Sequence, residues 1–203
     1  SPAPPWGHGA QDNFPWGGIG IEHGKGKDFV SPLAAHLLCM ASLPRTPRGK
    51  ATSINLPETS FLCALYREQN NSGQADNYRK SLPPGPMMVS SLVLFEFRQS
   101  TRLHIHLHQH DKSLGFPREQ ANAMLRDLQS DLNTGVLEVL TVDWPAVHIM
   151  AEILSAKHTE SGGHRFANIL HVATALQWGA ETFLTFDKTQ RKLARAEGLN
   201  TLD

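Results

Sequence analysis

Short apolar runs alternate with stretches of helical spacing from residue 52 to the end of this chain, and that alternation restricts the folds open to it. The last forty residues show a helical pattern over His164 to Leu176, an apolar run over Thr182 to Phe186, and a second helical pattern from Lys188 that stops at Gly198. The middle run is short and apolar on both faces, which is typical of a parallel strand buried between helices. The alternation therefore predicts an α/β fold with a parallel sheet covered on both faces.

The same alternation continues upstream. Strands are predicted at 52–56, 87–89 and 136–142. Helices are predicted at 61–66 and 75–81, from Ser90 or Ser91 onward, from Pro117 to Gly135, and after Asp143. Serine and aspartate favour helix N-caps, proline favours the first turn, and glycine favours the position after the last turn. These residues therefore mark the predicted helix ends.

Composition excludes some classes of function. Nineteen basic and nineteen acidic residues give no net charge, so the chain lacks the polybasic character of many nucleic-acid or membrane-surface proteins, and any nucleic-acid binding must be local. The chain contains no apolar run of eighteen residues, and no membrane span is predicted. Cys39 and Cys63 lack metal-type spacing, which favours a reduced, cytoplasmic setting.

The first fifty residues differ from the rest. They hold eight of the sixteen glycines and seven of the thirteen prolines, and such a segment offers little apolar surface to bury. We therefore expect residues 1–51 to form a low-complexity extension, disordered or non-native, and residues 52–203 to form the folded domain. Because Met40 opens a basic stretch that leads into the first regular pattern, one hypothesis is that translation starts near Met40.

Several acids lie at strand ends or in early helix turns. They are Glu58, Glu96 and Asp187, and Asn168 lies on the helix before the last strand. Mg²⁺ prefers oxygen ligands and keeps several waters, so a few carboxylates from separate elements suffice for a site. Two such ions can hold the attacking water and the leaving oxygen of a phosphodiester. Acids at helix N-termini are also favoured by capping and by the helix dipole, so spacing alone leaves both interpretations open.

Four segments of the sequence resemble the motifs of a known family. They are LPETSFL at 56–62, SLVLFEFR at 91–98, NILHVATA at 168–175 and FLTFD at 183–187. In order, they resemble the motifs of PIN-domain ribonucleases, in particular the VapC-like toxins of type II toxin–antitoxin pairs. The resemblance implies a three-layer α/β/α domain with a central parallel sheet, and an acidic Mg²⁺ or Mn²⁺ site that hydrolyses RNA.

The family's four acidic positions correspond to Glu58, Glu96, Asn168 and Asp187, which the resemblance makes the catalytic and metal-binding residues. Two of them depart from the family pattern. Glu58 stands where the family has Asp, and so adds one methylene. Asn168 also stands where the family has Asp, and it removes a negative charge from the site. Weaker metal affinity, or its loss, is the expected consequence.

The function implied is that of a metal-dependent endoribonuclease, the toxin of a pair, with an antitoxin partner and a homodimeric state. Arg98, Arg165 and Lys188 are the predicted contacts to the RNA backbone, and Thr185 is a predicted aid to a metal-bound water or phosphate. One competing hypothesis is a PIN fold without catalysis that serves as a binding module, which Asn168 favours. Another is a structure-specific DNA nuclease.

Each candidate residue also has a structural interpretation. Asp187 could cap the last helix, Glu96 could pair with a nearby arginine, and Asn168 could hydrogen-bond backbone at the edge of the core. Hydroxyls such as that of Thr185 often satisfy local backbone groups. His171 is predicted to be a packed helix residue because its neighbours have the composition of a core.

Histidines alternate at His104, His106, His108 and His110. In a strand all four would share one face, and in a helix they would form pairs at i,i+4, so either arrangement could hold a transition metal. Because the run continues the helix that begins near Ser91, we favour a solvated or partner-contacting extension over a metal site. RNA contact is a third interpretation.

Overall fold

The computed structural model describes residues 54–202, where five strands alternate with seven helices. The strands are β1 (Asn55–Pro57), β2 (Met87–Val89), β3 (Leu137–Val139), β4 (Thr182–Leu184) and β5 (Asn200–Thr201). The helices are α1 (Thr59–Tyr66), α2 (Ser72–Ser81), α3 (Ser91–His110), α4 (Arg118–Asn133), α5 (Trp144–Gly162), α6 (Phe166–Gln177) and α7 (Lys188–Ala196). This order confirms the predicted α/β class. The expectations for residues 1–51 lie outside the described residues.

Every strand pair in this region is parallel. β4 lies between β1 and β5, and β2 pairs with β3, so the hydrogen-bonded ladders form one group of three strands and one of two. The two groups are neighbours because β1 also contacts β2. In register, Leu56 lies opposite Phe183, and Val89 lies opposite Val139. The predicted parallel sheet is therefore present.

Two apolar cores lie on the two faces of this sheet. Successive side chains of a strand point to opposite faces, and in β4 Phe183 packs into one core while Leu184 packs into the other. The Leu184 core receives buried residues from α1, α3 and α4. The Phe183 core receives residues from α5, α6 and α7. The fold therefore has the three α/β/α layers that the sequence predicts.

Side-chain caps fix where four of the helices begin. Ser90 Oγ accepts a hydrogen bond from Val93 N at 3.2 Å, and Asp143 Oδ1 accepts one from Ala146 N at 3.2 Å. Glu58 and Asp187 cap α1 and α7 in the same way. A cap of this kind contributes about 1 kcal/mol to stability. Two of the predicted site acids therefore have a structural role as well.

Some predicted boundaries were wrong. α6 begins at Phe166 and not at His164, because Gly163 ends α5 in the left-handed conformation, with φ +63°, and the chain then runs extended into α6. Pro117 precedes α4 instead of lying in its first turn. Strand β5 was not predicted, since two residues carry no periodic signal. Among the described helices, none combines the length and apolar composition needed to cross a membrane.

Candidate active site

The carboxyl ends of β1 and β4 lie side by side, and three of the predicted site residues, Glu58, Glu96 and Thr185, lie close together there. Glu58 follows β1, and Thr185 follows β4. Helix α3 supplies Glu96, and helix α6 supplies His171. Glu58, Glu96 and His171 each offer one ligand atom, and these atoms lie within 4.8 Å of one another. Open α/β sheets place ligands at this edge, and two carboxylates and an imidazole this close fit a divalent metal ion.

Glu58 is a buried carboxylate held by three donors. Its side chain is 5% exposed. Its Oε2 accepts hydrogen bonds from Ser60 N at 3.0 Å, from Ser60 Oγ at 2.6 Å and from Thr185 Oγ1 at 3.0 Å. Burial raises the pKa of Glu58, and the charge of His171 and these hydrogen bonds oppose that rise. The carboxyl group is therefore fixed in orientation and largely deprived of water.

Glu96 faces Glu58, and its pKa is shifted in the opposite direction. Its Oε2 accepts a hydrogen bond from Thr59 Oγ1 and lies 2.7 Å from His171 Nε2. The hydrogen bond with His171 holds the pKa of Glu96 below its usual value, although burial acts in the other direction. Two neighbouring carboxyl groups whose surroundings shift their pKa values apart are a feature of acid–base sites. The pair can therefore hold different protonation states at one pH.

Asn168 belongs to a second layer of contacts around this cluster. Gln190 Nε2 donates to Asn168 Oδ1 at 3.2 Å, and Gln190 Oε1 lies 3.3 Å from Thr185 Oγ1. Thr185 has a single hydroxyl proton, and Glu58 is its nearer acceptor at 3.0 Å. Asn168 is thus hydrogen-bonded to Gln190, whose amide oxygen lies beside Thr185 but does not receive its proton while that proton is donated to Glu58. Its role as a metal ligand stays a prediction.

Asp187 is exposed at the start of α7. Its Oδ1 accepts a hydrogen bond from Gln190 N at 2.8 Å, which is the capping contact foreseen as an alternative. Its backbone N–H donates to Thr185 Oγ1 at 3.0 Å. The group of ligand atoms within 4.8 Å contains Glu58, Glu96 and His171, and Asp187 is outside it. A ligand role for Asp187 likewise stays a prediction.

A cavity of about 320 Å³ opens beside the two glutamates. Besides Glu58 and Glu96, its wall consists of Thr59, Ser60, Cys63, Arg67, Gln69, Asn71, Ser100, His104 and Phe186. The guanidinium of Arg67 lies 5.4 Å from the centre of the Phe116 ring and donates to Gln69 Oε1 at 2.5 Å. Burial raises the pKa of Cys63 to about 11, so Cys63 stays a neutral thiol near pH 7. The cavity therefore combines acids, one fixed arginine and neutral polar groups.

No family model and no curated protein matches this chain. A solved structure, FitAcB from Neisseria gonorrhoeae, matches at a TM-score of 0.52 and 16% identity, covering 73% of this chain and 96% of that one. This chain has a PIN-domain fold. VapC20 from Mycobacterium tuberculosis, described as a toxin that cleaves the sarcin–ricin loop, is 22% identical with a TM-score of 0.48 and coverages of 70% and 94%. VapBC2 from Rickettsia felis, bound to a promoter DNA fragment, is 16% identical with a TM-score of 0.48 and coverages of 73% and 96%.

Within the PIN-domain fold, the predicted RNA contacts have different surroundings. Arg165 and Lys188 are exposed next to the first turns of α6 and α7. Arg98 is half-buried two residues beyond Glu96, so on a helix it points away from Glu96. Thr185 is fully buried, and its hydroxyl positions Glu58.

Two residues of the site were missed by sequence reasoning. His171 is buried as predicted, with 1% exposure, but its ring pairs with Glu96 instead of packing only against apolar side chains. The signal was available, because a buried imidazole requires a polar partner and His171 lies three residues after Asn168 on the same helix face. No local feature of the sequence marks Arg67 as a site residue, because only the tertiary fold brings it to the cavity.

The histidine run is helical, as predicted, because α3 extends to His110. His104 stacks on Phe116 with ring centroids 4.8 Å apart, and the rings of His106 and His110 are 4.2 Å apart. His110 Nδ1 donates to the His106 carbonyl at 2.8 Å, and His108 Nδ1 donates to the Leu114 carbonyl at 3.2 Å. Two of the rings are therefore held by backbone acceptors, and the solvated or partner-contacting role favoured for the run stays a prediction.

Proposed function

We propose that this protein is a metal-dependent endoribonuclease, the toxin of a toxin–antitoxin pair. The observation that carries the proposal is the cluster of Glu58, Glu96 and His171 at the carboxyl edge of the sheet, beside a cavity, in which Glu58 and His171 are buried and Glu96 is half-buried. Buried carboxylates are ordinarily paired or bound to metals, and here the buried Glu58 lies close to the half-buried Glu96. The toxin assignment is supported by the four sequence segments that resemble VapC-like motifs.

In the proposed mechanism, Glu58 and Glu96 would hold a Mg²⁺ or Mn²⁺ ion, with Asp187 and Asn168 as the further predicted ligands. Such an ion, when bound, would activate water for in-line attack on an RNA phosphodiester. Ser60 and Thr185 orient Glu58 through the hydrogen bonds given above.

Thr59 orients Glu96 in the same way. Its hydroxyl proton is donated to Glu96 Oε2, so the carboxylate is fixed before a substrate arrives. Preorganised groups of this kind need little rearrangement during the reaction, which is how electrostatic catalysis gains its effect.

Arg67 is the proposed contact for the substrate phosphate inside the cavity. Its guanidinium is always charged and presents several donors in one plane, which suits phosphate oxygens. The contacts with Gln69 and Phe116 hold the side chain in place. Arg165 and Lys188, exposed near two helix starts, are proposed to hold the RNA backbone outside the cavity.

We also propose an antitoxin partner and a homodimer, as the family resemblance implies. Phe95 is 65% exposed and Phe166 is 74% exposed, and protein interfaces are enriched in aromatic side chains of this kind. Light scattering during size-exclusion chromatography would measure the subunit number, and a monomer at micromolar concentration would contradict the homodimer.

The function is tested by incubating the full chain with RNA in the presence of Mn²⁺ or Mg²⁺. We expect cleavage that Glu96→Gln lowers by about 100-fold or more, since one charge at the reacting centre is removed. The control is His158→Gln, which removes another histidine–glutamate pair, in which His158 Nε2 lies 2.5 Å from Glu197 Oε1. Absence of cleavage by folded protein would contradict the proposal, and preference for DNA would select the DNA-nuclease hypothesis.

A second candidate is a PIN-fold binding module without catalysis. The observation that favours it is Asn168, a neutral amide already engaged by Gln190, at a position where the family has a charged acid. If neither the natural chain nor Asn168→Asp cleaves RNA while both are folded, the binding module becomes the better explanation.

A further inference from the structure

The ring of His171 lies beside the place where a metal held by the two glutamates would be bound. Its Nε2 is 2.7 Å from Glu96 Oε2, and the ligand atoms of His171, Glu58 and Glu96 lie within 4.8 Å of one another. The side chain is 1% exposed, and its helix neighbours Leu170 and Val172 are buried in the core. The imidazole is therefore fixed at the site and not free to turn into solvent.

The ligand atoms offered here are two carboxylate oxygens and one imidazole nitrogen. Mg²⁺ strongly prefers oxygen ligands and loses its waters reluctantly, whereas imidazole suits first-row transition ions. Cys63 lines the same cavity, but burial raises its thiol pKa to about 11, so no thiolate is offered near neutral pH. The donor set is thus mixed nitrogen and oxygen, without sulfur.

We propose that His171 Nε2 is a direct metal ligand, and that the site selects a first-row transition ion such as Mn²⁺ over Mg²⁺. The inference rests on the proposed function, because it names the ion and a ligand of the same site. It adds a residue outside the four positions that the family resemblance supplies.

The geometry requires only a small adjustment. Two ligands at right angles, each about 2.1 Å from one ion, lie about 3.0 Å apart. The present separation of His171 Nε2 and Glu96 Oε2 is 2.7 Å, so a shift of a few tenths of an ångström is sufficient. An ion between them would replace their hydrogen bond with two coordination bonds, and the proton now on Nε2 would be released to solvent, because a metal-bound imidazole nitrogen is deprotonated. Thr59, which donates to the same oxygen, would remain as a support for Glu96.

The test is electron paramagnetic resonance of Mn²⁺ bound to the full chain, with electron spin echo modulation to detect coupled nitrogen. Mn²⁺ affinity is measured beside it by titration, alone and in competition with Mg²⁺. The variants are His171→Asn, Glu96→Gln and the control His158→Gln. Glu96→Gln identifies signals from this site, because the chain has eleven histidines in all.

We expect nitrogen coupling in the natural chain and in His158→Gln, and its loss in His171→Asn and Glu96→Gln. Outer-shell partners of a metal already contribute about 10–100-fold to its affinity, so loss of a direct ligand should weaken Mn²⁺ binding by at least about 10-fold. The preference for Mn²⁺ over Mg²⁺ should fall in His171→Asn.

Mn²⁺ bound without nitrogen coupling would overturn the role of His171 and leave the proposed metal-dependent function standing. No Mn²⁺ binding by the natural chain would overturn both. Tighter Mn²⁺ binding by His171→Asn than by the natural chain would mean that the imidazole occupies the position of the ion, which also overturns the inference. If His171→Asn does not fold, the nitrogen coupling and the Mg²⁺ competition of the natural chain still decide the question.

Discussion

Replacing Thr185 with valine should destabilise the protein by an amount that depends on pH. Thr185 is fully buried, donates to Glu58 Oε2 at 3.0 Å and accepts from Asp187 N at 3.0 Å. Valine has nearly the same volume but makes neither contact. A hydrogen bond to a charged group contributes about 1.5–3 kcal/mol, and a neutral one contributes about 1 kcal/mol. We therefore expect Thr185→Val to lower the free energy of unfolding at pH 7 by about 2–4 kcal/mol.

The pH dependence follows from the pKa of Glu58, which burial raises above its usual value of 4.5. At pH values between the usual pKa of 4.5 and the higher pKa of Glu58 in the folded state, the folded state binds more protons than the unfolded state. The free energy of unfolding therefore falls as pH rises through this range. Loss of the Thr185 donor raises the folded pKa further, so the fall in stability extends to higher pH and becomes larger in total. The difference between the natural chain and Thr185→Val should therefore be smallest below about pH 4.5 and grow as pH increases.

The measurement is urea unfolding of both proteins across this pH range, with Thr185→Ser as the matched control. Serine keeps the hydroxyl and loses one methyl group, for which about 1 kcal/mol of destabilisation is expected, independent of pH. Equal losses for the valine and serine variants, or a valine effect that does not change with pH, would refute the assignment of Thr185 as a support for the Glu58 charge.

Three further predictions concern single side chains. Asn168→Asp should tighten Mn²⁺ binding by about 10-fold or more, because it restores a charge at the site; unchanged affinity in a calorimetric titration would contradict this. Asp187→Ala should cost about 1 kcal/mol in urea unfolding, whereas Asp187→Asn should retain the cap, so weaker Mn²⁺ binding by the asparagine variant would identify a ligand role. Arg67→Gln should raise KM for RNA about 10-fold or more with little change in kcat, because a phosphate contact made equally in the ground and transition states is lost; an unchanged KM in steady-state assays would exclude that contact.

Local signals in the sequence were sufficient for the architecture. The apolar run that contains Phe183 and Leu184 predicted a strand buried on both faces, and these two side chains do enter opposite cores. Ser90 and Asp143 predicted helix starts because capping depends on residues only a few positions apart. Strand β5 lacked such a signal, since its two residues are held mainly by pairing with β4.

The site depends on distant contacts and was only partly predictable. Glu58 and Glu96 were grouped because each lies at a predicted strand end or in an early helix turn, and their carboxyl groups do lie close together. The partner of His171 is 75 positions away, so its local apolar context indicated burial but not the hydrogen bond to Glu96. Asp187 shows a different limit of sequence reasoning. The same sequence pattern is compatible with a helix cap and with a metal ligand, so it could not decide between the two roles.

Glu58 lies between strand β1 and helix α1, caps that helix and contributes to the cluster with the same carboxyl group. Its orientation therefore forms together with the pairing of β1 and β4, and not in response to a ligand. A charge that is already desolvated and oriented in the folded state needs no reorganisation when an ion or substrate arrives. Hydrogen exchange at the Ser60 amide, which donates to Glu58, should consequently be slow even without metal, and binding should change it little.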